Sequence, residues 1–440
     1  MMIPPPSSRH WLILAHCFNL DGRAASQTIT DRIPLLMARG ITPVVLSAPT
    51  GTKDTKFPHA QVLSPAPSGI IFELRHIIKK KIKNLLLLQT IKTIIFLSLL
   101  PFYLIEKIII HLDSHWSWFI SATITALPLI KKYRPTIVYS TAGPSSTHVT
   151  GYLLHKITKL PWLVELHDPL IHKFERGTGQ RINFSRWLEK IITKNASAVI
   201  FFTESALENA CHRNQGLNSK AYLLRPGANP PDFSSATYTK SNKIHFGHFG
   251  SLATGRHLGT FIQALHSVLE ENPSWGDSVS LDIYGGTLDK ISENYLRDYP
   301  LPGIIKRYGR LEYDQISKKS GRLQVIEAMR QCDVLVIIHG EGENCCEYIP
   351  SKLYEYLLTR RPIFGLAAPE SELANILHKT HGCMCVPQQV ELAHMGIKTM
   401  LERWQKDGLP DNDSSSFTID AAVDTLLSIA EKIEPLPSKS

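Results

Sequence analysis

Cysteine is scarce in this chain and poorly placed for metal binding: the 440 residues contain seven, none in a Cys-x-x-Cys pair. The adjacent Cys345-Cys346 and the spacing Cys383-x-Cys385 do not suit a zinc site. The odd count argues for a reducing compartment. An apolar leader is missing as well. Met1 to His10 carries three prolines and no hydrophobic stretch, so no signal peptide is expected. Charged residues make up only 20% of the chain against 43% hydrophobic, which excludes disorder across most of it and fits an ordinary globular protein. The charge that is present is unbalanced. A formal +9 and a pI near 9.1 leave nucleic acid, anionic lipid and phosphorylated substrates open as partners.

The length suggests two or three domains, and the pattern along the chain alternates strand with helix. Trp11 to Ala15 is a short apolar run followed by a polar loop through Asn19, Asp21 and Gly22. A helix is expected next, with Ile29, Ile33, Leu36 and Met37 on one face, Gly40 as its stop, and Pro34 as a reason for a kink or a later start. Further strands are expected at Val44 to Leu46, Ile137 to Tyr139, Trp162 to Leu166 and Val199 to Phe202. The alternation restarts after Arg225-Pro226-Gly227. Strands follow at Ile244 to Phe249, Leu281 to Tyr284, Ile304 to Tyr308, Val334 to Ile338 and Ile363 to Leu366, with a strong helix from Leu258 to Leu269. Short apolar runs with helix-length connections imply parallel sheets covered on both faces. The expected organisation is an α/β domain over 1–228, a Pro/Ser-rich linker over 229–242, and a second α/β domain over 243–415. A C-terminal helix over 416–440 can pack back on the first domain. A ligand site in the cleft between two such units is the default expectation.

One stretch, 75–110, fits neither domain pattern. Arg75, Lys79, Lys80, Lys81 and Lys83 stand just before Leu85-Leu86-Leu87-Leu88, and the apolar run continues through Ile94, Phe96, Leu99, Tyr103 and Ile110. It exceeds the roughly 20 residues of a spanning helix. Yet Lys92, Pro101, Glu106 and Lys107 interrupt it, and a central lysine costs about 3 kcal/mol on insertion scales. The expectation is a helix or hairpin lying on an anionic membrane surface. A buried interdomain or dimer helix and a true span are the alternatives. The lysines lack interleaved aromatics, so no nucleic-acid partner is expected.

The most informative segment runs from Glu347 through Pro350, Ser351 and Lys352 to Glu355. Pro350 suits a first helical turn and Ser351 can satisfy free amides there. The helix start then offers amides and a positive dipole end to a diphosphate, with the Lys352 charge beside it. Glu355, about one turn on, can accept from ribose hydroxyls, and Glu347 can reach the far end of a nucleotide sugar. The bland alternative is two glutamates acting as solvated dipole partners. Glu347 and Glu355 have seven residues between them. Here the chain resembles glycosyltransferase family 4, whose E-x7-E motif they match, and Pro350 to Tyr356 looks like the bacterial surface-polysaccharide variant. Phe249-Gly250-Ser251-Leu252, Tyr284-Gly285-Gly286, Tyr308-Gly309-Arg310-Leu311 and Cys332-Asp333-Val334-Leu335 fall in that family's order. In the first half, Arg134 to Ser140 and Gly143 to His148 resemble the acceptor-domain strand and loop. Pro161 to Pro169 resembles the W-x-x-D-F-R-D-P-W segment, with Glu165, Leu166, His167 and Leu170 as departures.

The resemblance implies a GT-B fold, two Rossmann-like domains with parallel sheets facing across a cleft. It implies that Glu355 binds the donor ribose and that Glu347 contacts the transferred sugar. His167 and Asp168 join Glu347 as catalytic candidates. The donor-binding candidates are Lys352, Ser351, Arg256, Gly250, Ser251, Gly285, Arg310 and Gly22, with Lys306 and Arg307 weaker. Ser251 stands where the family often has arginine, and Arg256 lies near its lysine position. The implied activity is retaining transfer from a nucleotide sugar to a lipid-linked glycan acceptor in surface-polysaccharide assembly. No cofactor and no metal are expected, the protein being peripheral to the inner face of the cytoplasmic membrane. A nucleotide-sugar 2-epimerase and a non-catalytic sugar-nucleotide-binding relative are the alternatives.

Overall fold

The computed structural model describes residues 9–20, 22–82, 84–141, 143–229, 239–253, 255–340, 342–409 and 417–434. Asp21, Lys83 and most of the expected linker therefore lie outside the described residues. The chain divides into two compact units, one of residues up to Arg225 with those from Ala422 onward, the other Pro226–Ala421.

The first unit runs β1 (Arg9–Leu14), α1 (Ala24–Ala38), β2 (Ile41–Ser47), β3 (His59–Gln61), α2 (Pro67–Lys81), α3 (Leu85–Ile109) and α4 (Trp118–Tyr133). It continues with β4 (Ile137–Ser140), α5 (Ser145–Thr158), β5 (Trp162–Leu166), α6 (Gln180–Asn195), β6 (Ala198–Phe201), α7 (Glu204–Arg213) and β7 (Ala221–Leu223). The strands form one parallel sheet in the order β3-β2-β1-β4-β5-β6-β7. The order reverses between β1 and β4, the point where open α/β sheets leave a crevice at their carboxyl ends. Central strands are apolar on both faces because helices cover both.

Helix α1 begins at Ala24 and passes through Pro34 without ending there. Ile29, Ile33 and Leu36 face inward, but Met37 is 40% exposed and Arg32 takes the remaining inward position. At roughly 100° per residue Met37 has turned about 80° away from Ile29, whereas Arg32 lies about 60° to the other side.

The expected insertion forms two helices, α2 and α3. Asn84 caps α3, its side chain accepting from the Leu87 amide. Only Leu88 and Glu106 of α3 are buried, so a buried helix is not how it sits in this chain. Leu86, Phe102 and Ile108 are exposed by 76%, 63% and 74%, an apolar flank open along a 25-residue helix. Glu106, which in the sequence looks like an interruption, accepts from the Ser68 amide and hydroxyl and from Trp116 Nε1 at 2.5–2.8 Å. It pins the end of α3 to the start of α2.

The second unit runs β8 (Ile244–Gly250), α8 (Gly259–Glu271), β9 (Val279–Gly285), α9 (Lys290–Asp298), β10 (Ile305–Gly309) and α10 (Gly321–Gln331). After it come β11 (Val334–Ile338), α11 (Lys352–Leu358), β12 (Ile363–Leu366), α12 (Glu372–Lys379), β13 (Cys383–Cys385) and α13 (Val390–Gln405). Its parallel sheet has the order β10-β9-β8-β11-β12-β13. Helix α8 buries Phe261, Ile262, Leu265 and Val268 completely against it. The last helix, α14 (Ile419–Glu431), belongs to the first unit from Ala422 on. There Arg39 bonds Asp424 at 2.7 Å, and Glu434 accepts from Arg9 and Trp11.

Candidate functional site

In the second unit the candidates gather beyond the carboxyl ends of the strands. Gly250 and Gly285 end β8 and β9 as register partners, with φ of +149° and +133°. A Cβ on Gly285 would collide with the Gly250 carbonyl oxygen. Only glycine lets these strand ends lie backbone to backbone, and the rim between them is left without side chains. Ser251 follows, exposed. Ala253 and Arg256 then exchange backbone hydrogen bonds of 3.0 and 2.7 Å, folding the loop back. His248 and His339 are each held down to about 4, first by burial and also by Arg256.

Beyond β11, His339 Nε2 lies 2.6 Å from the Cys345 carbonyl and steadies a short 3-10 turn that ends at Glu347. Glu347 is buried, 2% exposed, rather than a solvated dipole partner. The next turn is closed by the Leu353 amide donating to the Pro350 carbonyl. Ser351 does not cap α11 with its side chain. It is already helical (φ −56°, ψ −26°), so its hydroxyl cannot reach back to the amides as an extended N-cap would.

Glu355 is the centre of the cluster, with its side chain 10% exposed. Lys352 Nζ donates to one carboxylate oxygen at 2.5 Å, and Arg322 Nε stands 3.6 Å from the other. Lys352 is thus engaged with Glu355, one turn away on the same helix face, and its charge is shared rather than free for a diphosphate. Tyr356 fixes the height of the helix: its hydroxyl accepts from the Phe249 amide at 2.9 Å and donates to the Val336 carbonyl at 3.4 Å. Phe249, Tyr284 and Tyr308 stack face to face across three strands, with 4.4 Å between successive rings. Arg310 lies exposed just past β10. Arg307 is held by Glu293 at 2.8 Å, on the surface.

In the first unit a second set gathers beyond β1, β4 and β5. Glu165, fully buried at the end of β5, accepts from Arg32 of α1 at 2.5 Å and from the Thr141 hydroxyl at 2.6 Å. Burial pushes its carboxyl upward, but Arg32, His167 and Thr141 outweigh it and hold the group ionised well below the carboxylate range. His167 Nε2 lies 3.0 Å from both Glu165 and Thr141, and its ring stacks on Phe202. An ionised Glu165 can only accept, so the proton sits on Nε2 of His167 and the ring is locked in one orientation. Asp168 is exposed beside it. Gly22, with φ of +71°, occupies the loop after β1 in a conformation that suits glycine. Just past β1, buried His16 meets Glu73 of α2 at 3.1 Å, and burial holds the imidazole below its usual value.

The structure therefore brings Gly250, Ser251, Arg256, Gly285, Glu347, Ser351, Lys352 and Glu355 to one sheet rim, and Gly22, His167 and Asp168 to another. Arg322, Arg32 and Thr141 were not visible as site residues, because each gains its place from a partner distant in the chain. Among the described residues no group of three or more histidine, cysteine, aspartate or glutamate side chains is placed to hold a metal. The sequence does carry one Asp-x-Asp triplet, Asp411-Asn412-Asp413, which the expectation of metal independence passed over; it lies outside the described residues.

No family model matches the chain, and no curated protein sequence matches it. Solved structures do match along nearly the whole length. Anabaena HepE in complex with UDP and glucose is 14% identical over 97% of this chain and 96% of its own, with a TM-score of 0.56. Sucrose-phosphate synthase from Thermosynechococcus elongatus is 13% identical over 96% and 98%, with a TM-score of 0.57. The UDP-forming α,α-trehalose-phosphate synthase from Burkholderia vietnamiensis is 11% identical over 97% and 100%, with a TM-score of 0.58. At these identities the likeness is one of architecture, and it agrees with the two parallel sheets: the chain has the GT-B fold, built from two Rossmann-like α/β domains.

Proposed function

We propose that this chain is a nucleotide-sugar-dependent glycosyltransferase of the family 4 type, working with retention on a lipid-linked glycan acceptor in surface-polysaccharide assembly. The observation that carries the reading is Glu355: a nearly buried carboxylate, flanked by Lys352 and Arg322, at the carboxyl rim of the second sheet and eight positions beyond buried Glu347. A carboxylate so placed accepts from a pair of vicinal hydroxyls, as on a ribose, with Lys352 and Arg322 fixing its orientation. Arg256 adds a further positive charge at the same rim. Fixed positive groups of this kind stabilise a departing nucleoside diphosphate without reorganising as the glycosidic bond breaks. HepE was solved with UDP and glucose, which favours a uridine donor. In the first unit, His167 and Asp168 are the acceptor-side candidates, with Glu165 and Thr141 orienting the imidazole.

The membrane reading rests on α3. It is 25 residues long with a mean hydropathy of 1.9 in its most apolar window, and its apolar flank is open. Lys79, Lys80 and Lys81 close the preceding helix. Apolar side chains beside a lysine cluster suit the inner, anionic face of the cytoplasmic membrane.

The test is Glu355→Gln assayed with a panel of sugar nucleotides. Titration calorimetry should show donor affinity falling by about tenfold or more, the loss of a charge-assisted contact, while the melting temperature moves little. Unchanged affinity and turnover would remove Glu355 from the donor site.

A further inference from the structure

The apolar flank of α3 is not smooth. A cleft of about 400 Å³ lies between α2 and α3. Ile71, Leu74 and Ile78 form one wall, and Ile95, Phe96 and Tyr103 the other. Arg75 and Lys92 also line it. Each helix has a single carboxylate, and both are taken: Glu73 accepts from the Ser64 amide and hydroxyl and meets His16, while Glu106 accepts from Ser68 and Trp116. Among the described residues neither Arg75 nor Lys92 has a carboxylate partner, and the Arg75 guanidinium instead lies 5.5 Å from the Phe72 ring centre. The positive field is concentrated here. His76, the neighbour of Arg75, is held down to about 4 by burial and then by Arg23, Arg75, Lys80 and Lys79.

The cleft thus joins apolar walls, two cations without a carboxylate partner among the described residues, and an open edge beside the exposed apolar side chains of α3. A neutral acyl chain would fill the walls but bring no counter-charge to Arg75 and Lys92. A free phosphate would answer the cations and leave the walls wet. One class of occupant satisfies both, an anion on the end of a hydrocarbon chain. We propose that the α2–α3 cleft binds a single-chain lipid phosphate, its chain along the walls and its phosphate between Arg75 and Lys92. This rests on the reading of the chain as a transferase for a lipid-linked acceptor and deepens it. The acceptor's carrier is gripped by its phosphate, in a defined place beside the first sheet, rather than merely shared through the membrane plane.

The test uses the full-length protein and dodecyl phosphate below its micelle concentration, titrated by calorimetry. Dodecyl maltoside supplies the same chain on a neutral head, and inorganic phosphate supplies the head without a chain. Dodecyl phosphate should bind at least tenfold more tightly than either. Arg75→Gln and Lys92→Gln should each weaken it by about tenfold, as expected for one lost charge-assisted contact, and Leu74→Trp should weaken it by filling the cleft. Arg75 is exposed, so that variant carries the test should another fail to fold. Equal affinity for dodecyl maltoside, equal affinity for inorganic phosphate, or indifference to both charge substitutions would overturn the proposal. Binding of UDP-glucose to the unaltered protein is measured alongside. Donor binding without lipid binding refutes the cleft alone; lipid binding without any sugar-nucleotide binding supports the cleft and refutes the transferase reading.

Discussion

Replacing Arg32 with methionine should turn the acid dependence of the first unit around. Arg32 and Glu165 have side chains with no exposure at all and meet at 2.5 Å. Glu165 is held below its unfolded value, near 4.3 for a free glutamate. Its contribution to stability is therefore complete above that pH, falls progressively as the pH drops below it, and is gone below the depressed folded value. In Arg32→Met the carboxylate keeps Thr141 and His167 as partners but loses its counter-charge, and burial then governs. The folded value rises above the unfolded one, so the variant is penalised most at neutral pH and recovers as Glu165 takes up a proton. Breaking a buried pair by removing one member costs about 3–5 kcal/mol. For a domain of this size that corresponds to roughly 6–20 °C in melting temperature. Tryptophans lie in both units, so urea titrations should be read by amide hydrogen exchange in peptides covering β5, at pH 5 and pH 7.5. The loss should be larger at pH 7.5, and Arg32→Met/Glu165→Gln should recover part of it. A penalty equal at the two pH values, or below about 1 kcal/mol, would show that the pair does not behave as an isolated buried ion pair.

Gly285→Ala should destabilise the second unit by about 1–3 kcal/mol, because the added methyl meets the Gly250 carbonyl and φ is +133°. A thermal melt identical to the parent would contradict the close approach of β8 and β9. Neutralising Lys79 to Lys83 should release the protein from anionic vesicles in a flotation assay, at about 1 kcal/mol per lysine near the surface. The loss should shrink as salt rises, and unchanged flotation would disprove surface anchoring. Sugar transfer should persist in EDTA; its abolition, restored by a divalent cation, would turn attention to Asp411 and Asp413.

The central strands were readable because each is a buried run of four to seven residues between helix-length connections. The three-residue strands β3, β7 and β13 are too short to show any period. At the carboxyl rim of the second sheet, Glu347 and Glu355 could be picked out as a spaced pair and Gly250 and Gly285 as strand-end glycines. Arg322, 33 positions from Glu355, left no local trace, nor did the pairing of Arg32 with a residue 133 positions away. Ser351 misled because a serine before a helix has the composition of a cap whether or not its backbone is extended. Glu106 misled in the opposite sense. One letter cannot distinguish a charge that spoils an apolar run from a carboxylate with three donors waiting for it.

The three stacked rings at the ends of β8, β9 and β10 also have an optical consequence. Phe249, Tyr284 and Tyr308 are parallel to within 4°, so their near-ultraviolet transitions are electronically coupled. Burial pushes both phenols above the ordinary tyrosine range, which keeps them neutral and their absorption constant across the working pH scale. The second unit thus carries its own label-free gauge. Any twist of those strand ends relative to one another should register as a change in near-ultraviolet circular dichroism.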